Sequence, residues 1–225
     1  MEGSVPEHEQ GAAASPEKLS LDHPVTGEPA PVTEEQLRSV TVGEVTPLTG
    51  PIEITDYDPE WPRIFAREAK AIRVALGARA LDIHHVGSTS VTGLAAKPRI
   101  DIVLTVPDSA DESAYVPALE DAGYVLRIRE PDWYEHRVFK GPRSDLNLHV
   151  FSSGCAEIDR MLLFRDWLRG NETDRRLYER TKRTLATRTW THTQDYANAK
   201  TGIVEEIIAR ASIASGPKAN QDRST

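Results

Sequence analysis

Between Ile83 and Val106 the chain reads IHHVGSTSVTGLAAKPRIDIVLTV, the densest run of reactive residue types in its 225 positions. Gly87 allows a turn closed to other residues and removes a side chain that would hold a ligand away from the backbone. Ser88, Thr89 and Ser90 then offer hydroxyls and amides in one concave stretch, the kind of nest that takes a phosphate. Gly93 permits a second bend, and Lys97 adds a point charge for the same anion. Asp101 follows on a strand whose alternate residues Ile100, Ile102 and Leu104 are apolar. A carboxylate aimed at a phosphate site is most simply a magnesium ligand. Without that chemistry, the same residues make a plain loop and one hydrogen-bonded strand aspartate, and spacing alone leaves both readings open.

A second polar set lies in SDLNLHVF, where alternation puts Asp145, Asn147 and His149 on one face and Leu146, Leu148 and Val150 on the other. If that polar face looks toward Asp101, Asp145 completes a metal site or acts as general base, and Asp101, Asp145 and His149 become the catalytic set. Arg99 stands two residues before Asp101, so the strand itself supplies a single acid. A clamp on two metal ions about 3.5–4 Å apart needs several carboxylates. Of the adjacent His84 and His85, only one can face the site, and His85 is weighed as a ligand against a hydrogen-bonded buried histidine. Arg137 is the better planar partner for phosphate oxygens, set against a salt bridge with Glu135 or Asp132. Arg165 sits among core-facing helix positions, where a structural pairing is favoured. Lys182 and Lys200 come from helices and could cross to the phosphate, although most helix lysines are solvated. Cys155 starts a helix with no base nearby and reads as inert.

The elements that must carry these residues are legible. PIEITDYDPEWP reads as a short strand and a helix start, with Asp58 as N-cap and Pro59 at the first helical position. Phe65, Ala69, Ile72 and Leu76 share one face of that helix, and Gly77 ends it. ALDIHHV, RIDIVLTV, YVLRIRE, HRVFKG and SDLNLHVF read as strands, with GPRS as a hairpin turn before the last. SADESAYVPALEDAG is a helix that Pro117 kinks or splits. After Phe151 the chain turns helical: CAEIDRMLLFRDWLRG, then a helix capped by Asn171, then one begun by a Thr191–Gln194 capping box with Tyr196, Ile203, Ile207 and Ala211 on a face. Strands with crossing helices followed by helices alone make an α+β fold: a mixed β-sheet with flanking helices and a helical C-terminal block.

Composition bounds the function. Residues 1–50 hold nine of the 35 acidic side chains, only two of the 27 basic ones and six of the fifteen prolines, so the acidity belongs to this segment and the rest is nearly neutral. Such a stretch reads as a disordered acidic tail, with a short helix near Glu34–Val40 capped by Thr33. The folded domain is placed at 51–214, and 215–225 reads as a disordered end. A neutral body disfavours a dedicated nucleic-acid binder. There is no apolar run of membrane length and no signal peptide, and one cysteine excludes an internal disulfide or a zinc cluster, so a cytoplasmic protein without a membrane partner is expected.

HHVGSTSVTGLAAKPRIDI resembles the signature of the GrpB family, relatives of the nucleotidyltransferase superfamily. The likeness continues in ITDYDPEWP, LNLHVFSSG, MLLFRDWLRGN, LYERTKRTLA and YANAKTGIVEEI, over roughly residues 52–212. It implies the nucleotidyltransferase-like fold, a Gly-Ser loop that holds a triphosphate, and acids on the next strand that bind metal, Mg2+ being the expected cofactor. It also matches His85, Arg137, Lys182 and Lys200 to family positions. Family domains occur fused to dephospho-coenzyme A kinase. Where a second strand acid is usual, this chain has Arg99. Two functions are therefore carried forward: metal-dependent transfer of a nucleotidyl or phosphoryl group from a nucleoside triphosphate to a small acceptor, or a non-catalytic nucleotide-binding or chaperone-like module that keeps the phosphate loop alone.

Overall fold

The computed structural model describes residues 30–143 and 145–216. Five strands, β1 (Asp82–Val86), β2 (Ile100–Val106), β3 (Val125–Glu130), β4 (His136–Lys140) and β5 (Leu146–Ser152), form one sheet in the order β1-β2-β5-β4-β3. β2 and β5 pair in parallel and every other pairing is antiparallel, so the sheet is mixed and the fold α+β, as expected. Register assigns the faces. Asp101 lies opposite Asn147 and Val103 opposite His149, while Val138 of β4 also faces His149. One face thus carries Asp101, Asn147, His149, His136 and Lys140. The other carries Ile83, Ile100, Ile102, Leu104, Leu146, Leu148, Val150 and Phe139, all buried in the main core.

That apolar face is covered by helices from the first half of the folded chain rather than by the late helices. α2 (Trp61–Leu76) contributes Trp61, Ala69, Ile72 and Leu76, and α3 (Val116–Asp121) contributes Leu119. α2 begins later than the sequence suggests, because Pro62 takes the early helical position in place of Pro59. Asp58 instead closes a turn ahead of it, its carboxylate accepting from the Glu60 amide (2.8 Å). Only an isolated bridge, Thr55 with Ala96, stands where a short strand was expected. Pro117 splits its segment: a 3-10 turn at Glu112–Ala114 precedes α3, with Pro117 inside the first turn.

The C-terminal block comprises α4 (Ala156–Gly170), α5 (Glu172–Ala186), α6 (Thr193–Asn198) and α7 (Thr201–Ser215). Asn171 caps α5 by accepting from the Asp174 amide (2.9 Å). The last expected helix is two helices, and the capping pair is His192 with Asp195 rather than Thr191 with Gln194. Asp195 is buried and its second oxygen accepts from the Val32 amide (2.8 Å). This contact also corrects the reading of 1–50 as one tail. α1 (Glu34–Val40) has the expected Thr33 cap, and the chain after it lies along β3, with the Val42 amide donating to the Arg127 carbonyl (2.8 Å). Val32 is buried, and Val42 and Leu48 pack against core clusters, so residues 30–50 have apolar seats that the average composition concealed. The expectations for residues 1–29 and 217–225 lie outside the described residues; among the described ones no helix is long and apolar enough to cross a membrane.

Candidate functional site

The Gly-Ser turn is a 3-10 turn at Ser88–Ser90, entered through Gly87 at φ 67°, ψ −174°. That conformation is essentially restricted to glycine. Its second requirement is space: a Cβ on Gly87 would stand 2.6 Å from Asp101 Oδ2. Asp101 therefore lies directly against the turn, as the sequence reading required. Asp101 Oδ1 accepts from Asn147 Nδ2 (2.9 Å), and Asn147 Oδ1 accepts from Lys140 Nζ (2.6 Å), which fixes the orientation of the amide. His149 Nε2 stands 3.8 Å from Asp101 Oδ1, too far for a hydrogen bond.

Charge in this corner is mostly positive. Lys97, Arg99, Lys140 and Lys200 surround Asp101 and Asp145. Burial, then the Arg99 charge, brings Lys140 down to about 8 and lowers Lys97 as well. Burial also lowers Lys200, whose ammonium sits 4.6 Å over the Tyr196 ring, while Asp101 opposes the shift. Asp101 itself lies below the usual carboxylate range: burial pushes it up, but the charge His149 carries when protonated, the Asn147 hydrogen bond and Arg99 outweigh that. An arriving anion would relieve the repulsion among these cations.

The turn's hydroxyls do a different job from the one expected. Thr89 Oγ1 contacts His85 Nε2 (3.0 Å) and donates to the Arg99 carbonyl (3.2 Å), and Ser90 Oγ donates to the Gly87 carbonyl (2.6 Å). Both residues are buried. Their side chains shape the turn, and the amides of Ser90 and Val91 are used within it. Ser88 is the half-buried member, beside the Tyr178 hydroxyl.

The expected metal pair is not assembled. Asp145 does lie on the Asp101 face, but it is bound by Arg99, whose Nε donates to Asp145 Oδ1 (2.7 Å). Parallel pairing sets Ile100 opposite Leu146, so Arg99 and Asp145 are neighbours for the same reason that Asp101 and Asn147 are. Among the described residues no three His, Cys, Asp or Glu side chains are grouped to hold a metal. With Asp145 paired to Arg99, one carboxylate among three lysines does not fit an ion held by the protein.

Other expected residues are placed elsewhere. His85 points to the core face, stacked on Phe65 (4.9 Å) and brought to about 4 chiefly by burial, so it shapes the turn and is no ligand. Arg137 is on that core face too, donating to Glu112 Oε1 (2.6 Å), which removes it from the phosphate site. Arg165 donates to the His85 carbonyl (3.1 Å) and Lys182 to the Ala95 carbonyl, both as tethers behind the turn.

Residues 51–210 match the family model described as GrpB protein. The chain belongs to the GrpB family. A UPF0157 protein of Halalkalibacterium halodurans is 62% identical over 181 residues, covering 80% of this chain and 93% of that protein. A dephospho-CoA kinase of Mycolicibacterium paratuberculosis is 30% identical over 164 residues, 61% of this chain but only 40% of the kinase. The crystal structure of GrpB from Enterococcus faecalis superposes with a TM-score of 0.61 at 29% identity, over 72% of this chain and 98% of that one.

Sequence reasoning missed several residues that this GrpB domain brings to the corner. Lys140 shares its face with His136 at period two, a signal present in HRVFK. Arg169 donates to the Ser90 carbonyl from Nη2 (2.9 Å), closing the turn from α4. His136 Nε2 lies 3.1 Å from His149 Nδ1, and His136 Nδ1 lies 2.7 Å from Glu130 Oε2, so three strands contribute to one buried file of polar atoms.

Proposed function

We propose that this GrpB domain binds a nucleoside triphosphate through its phosphates and transfers a nucleotidyl group to the hydroxyl of a small acceptor. The observation that carries the reading is the Asp101 carboxylate packed against Gly87 in a corner where Lys97, Lys140 and Lys200 feel its charge. The lysines and the turn receive the phosphates, while Asp101 and His149 handle the acceptor. Catalysis of this kind is alignment and charge neutralisation. Magnesium belongs to the proposal only as an ion that enters on the triphosphate, since the donor set offers it one carboxylate. Relatives named dephospho-CoA kinase agree with nucleotide chemistry in the family.

A second reading has its own support. The Arg99–Asp145 pair occupies the place where a second metal-binding acid would act, which favours a module that binds the ligand without turning it over. Calorimetry with the four nucleoside triphosphates, with and without Mg2+, tests both. Lys97→Met or Lys140→Met is expected to weaken binding by roughly 10–100-fold, the loss of one charge-assisted contact. Pyrophosphate release on a panel of hydroxyl acceptors, lost in Asp101→Asn with binding retained, supports the transferase; binding with no release on any acceptor supports the module. No binding of any phosphate compound refutes both.

A further inference from the structure

The file of side chains behind the corner has a direction that the contacts fix. Glu130 at the end of β3, His136 at the start of β4 and His149 on β5 form a continuous hydrogen-bonded series that ends 3.8 Å from Asp101. His136 is buried at 4% exposure, its ring stacked on Phe151 (4.5 Å) and edge-on to Trp133 (5.0 Å). The rings of His136 and His149 are nearly parallel, at 7°. A carboxylate only accepts, so His136 must carry its proton on Nδ1, facing Glu130. Burial holds the His136 imidazole at about 4, against the pull of Glu130, so it is neutral near pH 7 and its Nε2 is a bare acceptor. The contact at 3.1 Å then needs a proton from the other ring, on His149 Nδ1.

We propose that Glu130 and His136 are positioning residues that hold His149 as its Nδ1–H tautomer, leaving Nε2 bare toward Asp101 to act as general base. The tautomer stands on these contacts together with a neutral His136; the base role rests on the transferase reading above. In that role the acceptor O–H gives its proton to Nε2, the freed oxygen pair forms the bond to the α-phosphorus, and the bond to pyrophosphate breaks, its electrons leaving with that group. The gap of 3.8 Å between two acceptor atoms, Nε2 and Oδ1, is where a hydroxyl would be received. The imidazolium formed would face the Asp101 carboxylate, whose negative charge offsets its own.

Nitrogen NMR of the full-length 15N-labelled chain near neutral pH reads the tautomer directly. His149 is expected with its proton on Nδ1 and none on Nε2, and His136 likewise on Nδ1. His136→Phe suits the aromatic surroundings but removes the acceptor, so His149 should switch to the Nε2–H form. His136→Gln places an oxygen where Nε2 was and should restore Nδ1–H. A wild-type His149 carrying Nε2–H, or doubly protonated, overturns the inference whether or not the variants fold; so does an unchanged tautomer in a natively folded His136→Phe. Calorimetry with triphosphate on the same samples separates the two claims. Binding unchanged within about threefold, with transfer lowered roughly 10²–10⁴-fold in His136→Phe and rescued in His136→Gln, supports the base role. Absent binding in the wild type overturns the transferase reading and the base role, and leaves the tautomer standing.

Discussion

Gly87→Ala probes the closest approach in the site. The new methyl would meet Asp101 Oδ2 at 2.6 Å, Cβ at 3.2 Å and Cγ at 3.3 Å, and the hydrogen bond from Asn147 to Oδ1 holds that carboxylate in place. Its backbone, at φ 67° and ψ −174°, would cost a residue with a Cβ about 1–3 kcal/mol. Forcing an atom into a packed contact adds about 1–3 kcal/mol more. The sum, on the order of 3 kcal/mol, corresponds to a fall in Tm of about 6–12 °C for a chain of this size. Gly93→Ala is the comparison, since its φ is 76° but nothing lies within 4 Å of the added atom. It should lose about 1–2 kcal/mol. Thermal and urea unfolding of both variants, and of Asp101→Ala and Gly87→Ala/Asp101→Ala, complete a cycle. Removing the carboxylate should return on the order of 1 kcal/mol of the Gly87→Ala cost, a coupling expected only of groups in contact. Additive single costs, or a Gly87→Ala protein as stable as Gly93→Ala, would refute the packing of Asp101 on the turn.

Other outcomes follow from buried charge and from the N-terminal strap. Glu112 is held at about 2, first by the hydrogen bond from Arg129 and against burial, so its folded value lies below its ordinary one. Its contribution is present above pH ~4.5 and lost as pH falls toward 2; Glu112→Gln should flatten that limb, worth on the order of 2 kcal/mol in acid titrations of stability. Lys182 is brought down to about 7, chiefly by burial. The unfolded chain then binds the extra proton between pH 7 and 10.5, so stability rises with pH there, and Lys182→Met should lose that rise in urea melts at stepped pH. Deleting residues 1–48 removes the Val32–Asp195 bond and the strand contact of Thr41 and Val42, and should lower Tm by several degrees, about 2–4 °C per kcal/mol lost; an unchanged Tm would mean the strap contributes nothing.

The sheet was legible because period-two alternation and turn residues mark each strand without help from distant parts of the chain. Asp101 against the Gly-Ser turn was legible for the same reason: both lie within one hairpin-like unit, β1 and β2. What needed register was not. Asp145 was placed on the right face, but the offset between β2 and β5 decides whether it meets Asp101 or Arg99, and that offset lies in no local pattern. Arg137 has one neighbour on each side in sequence that points to the site, so a single residue's shift in parity moves it from phosphate to Glu112. The strap at 30–50 was hidden because its apolar anchors are few, and tertiary seats rather than composition hold them.

Val91 and Leu94, just past the turn, are buried with Leu168, Tyr178 and Ile207 in a core of their own, separate from the one beneath the sheet. The lip of the corner is thus rooted in the late helices, while Asp101 and His149 are rooted in the strands. Any guest lodged between them would bridge these two apolar clusters, so occupancy should be felt far from the guest, as slower hydrogen exchange in α5 and α7 together with β2.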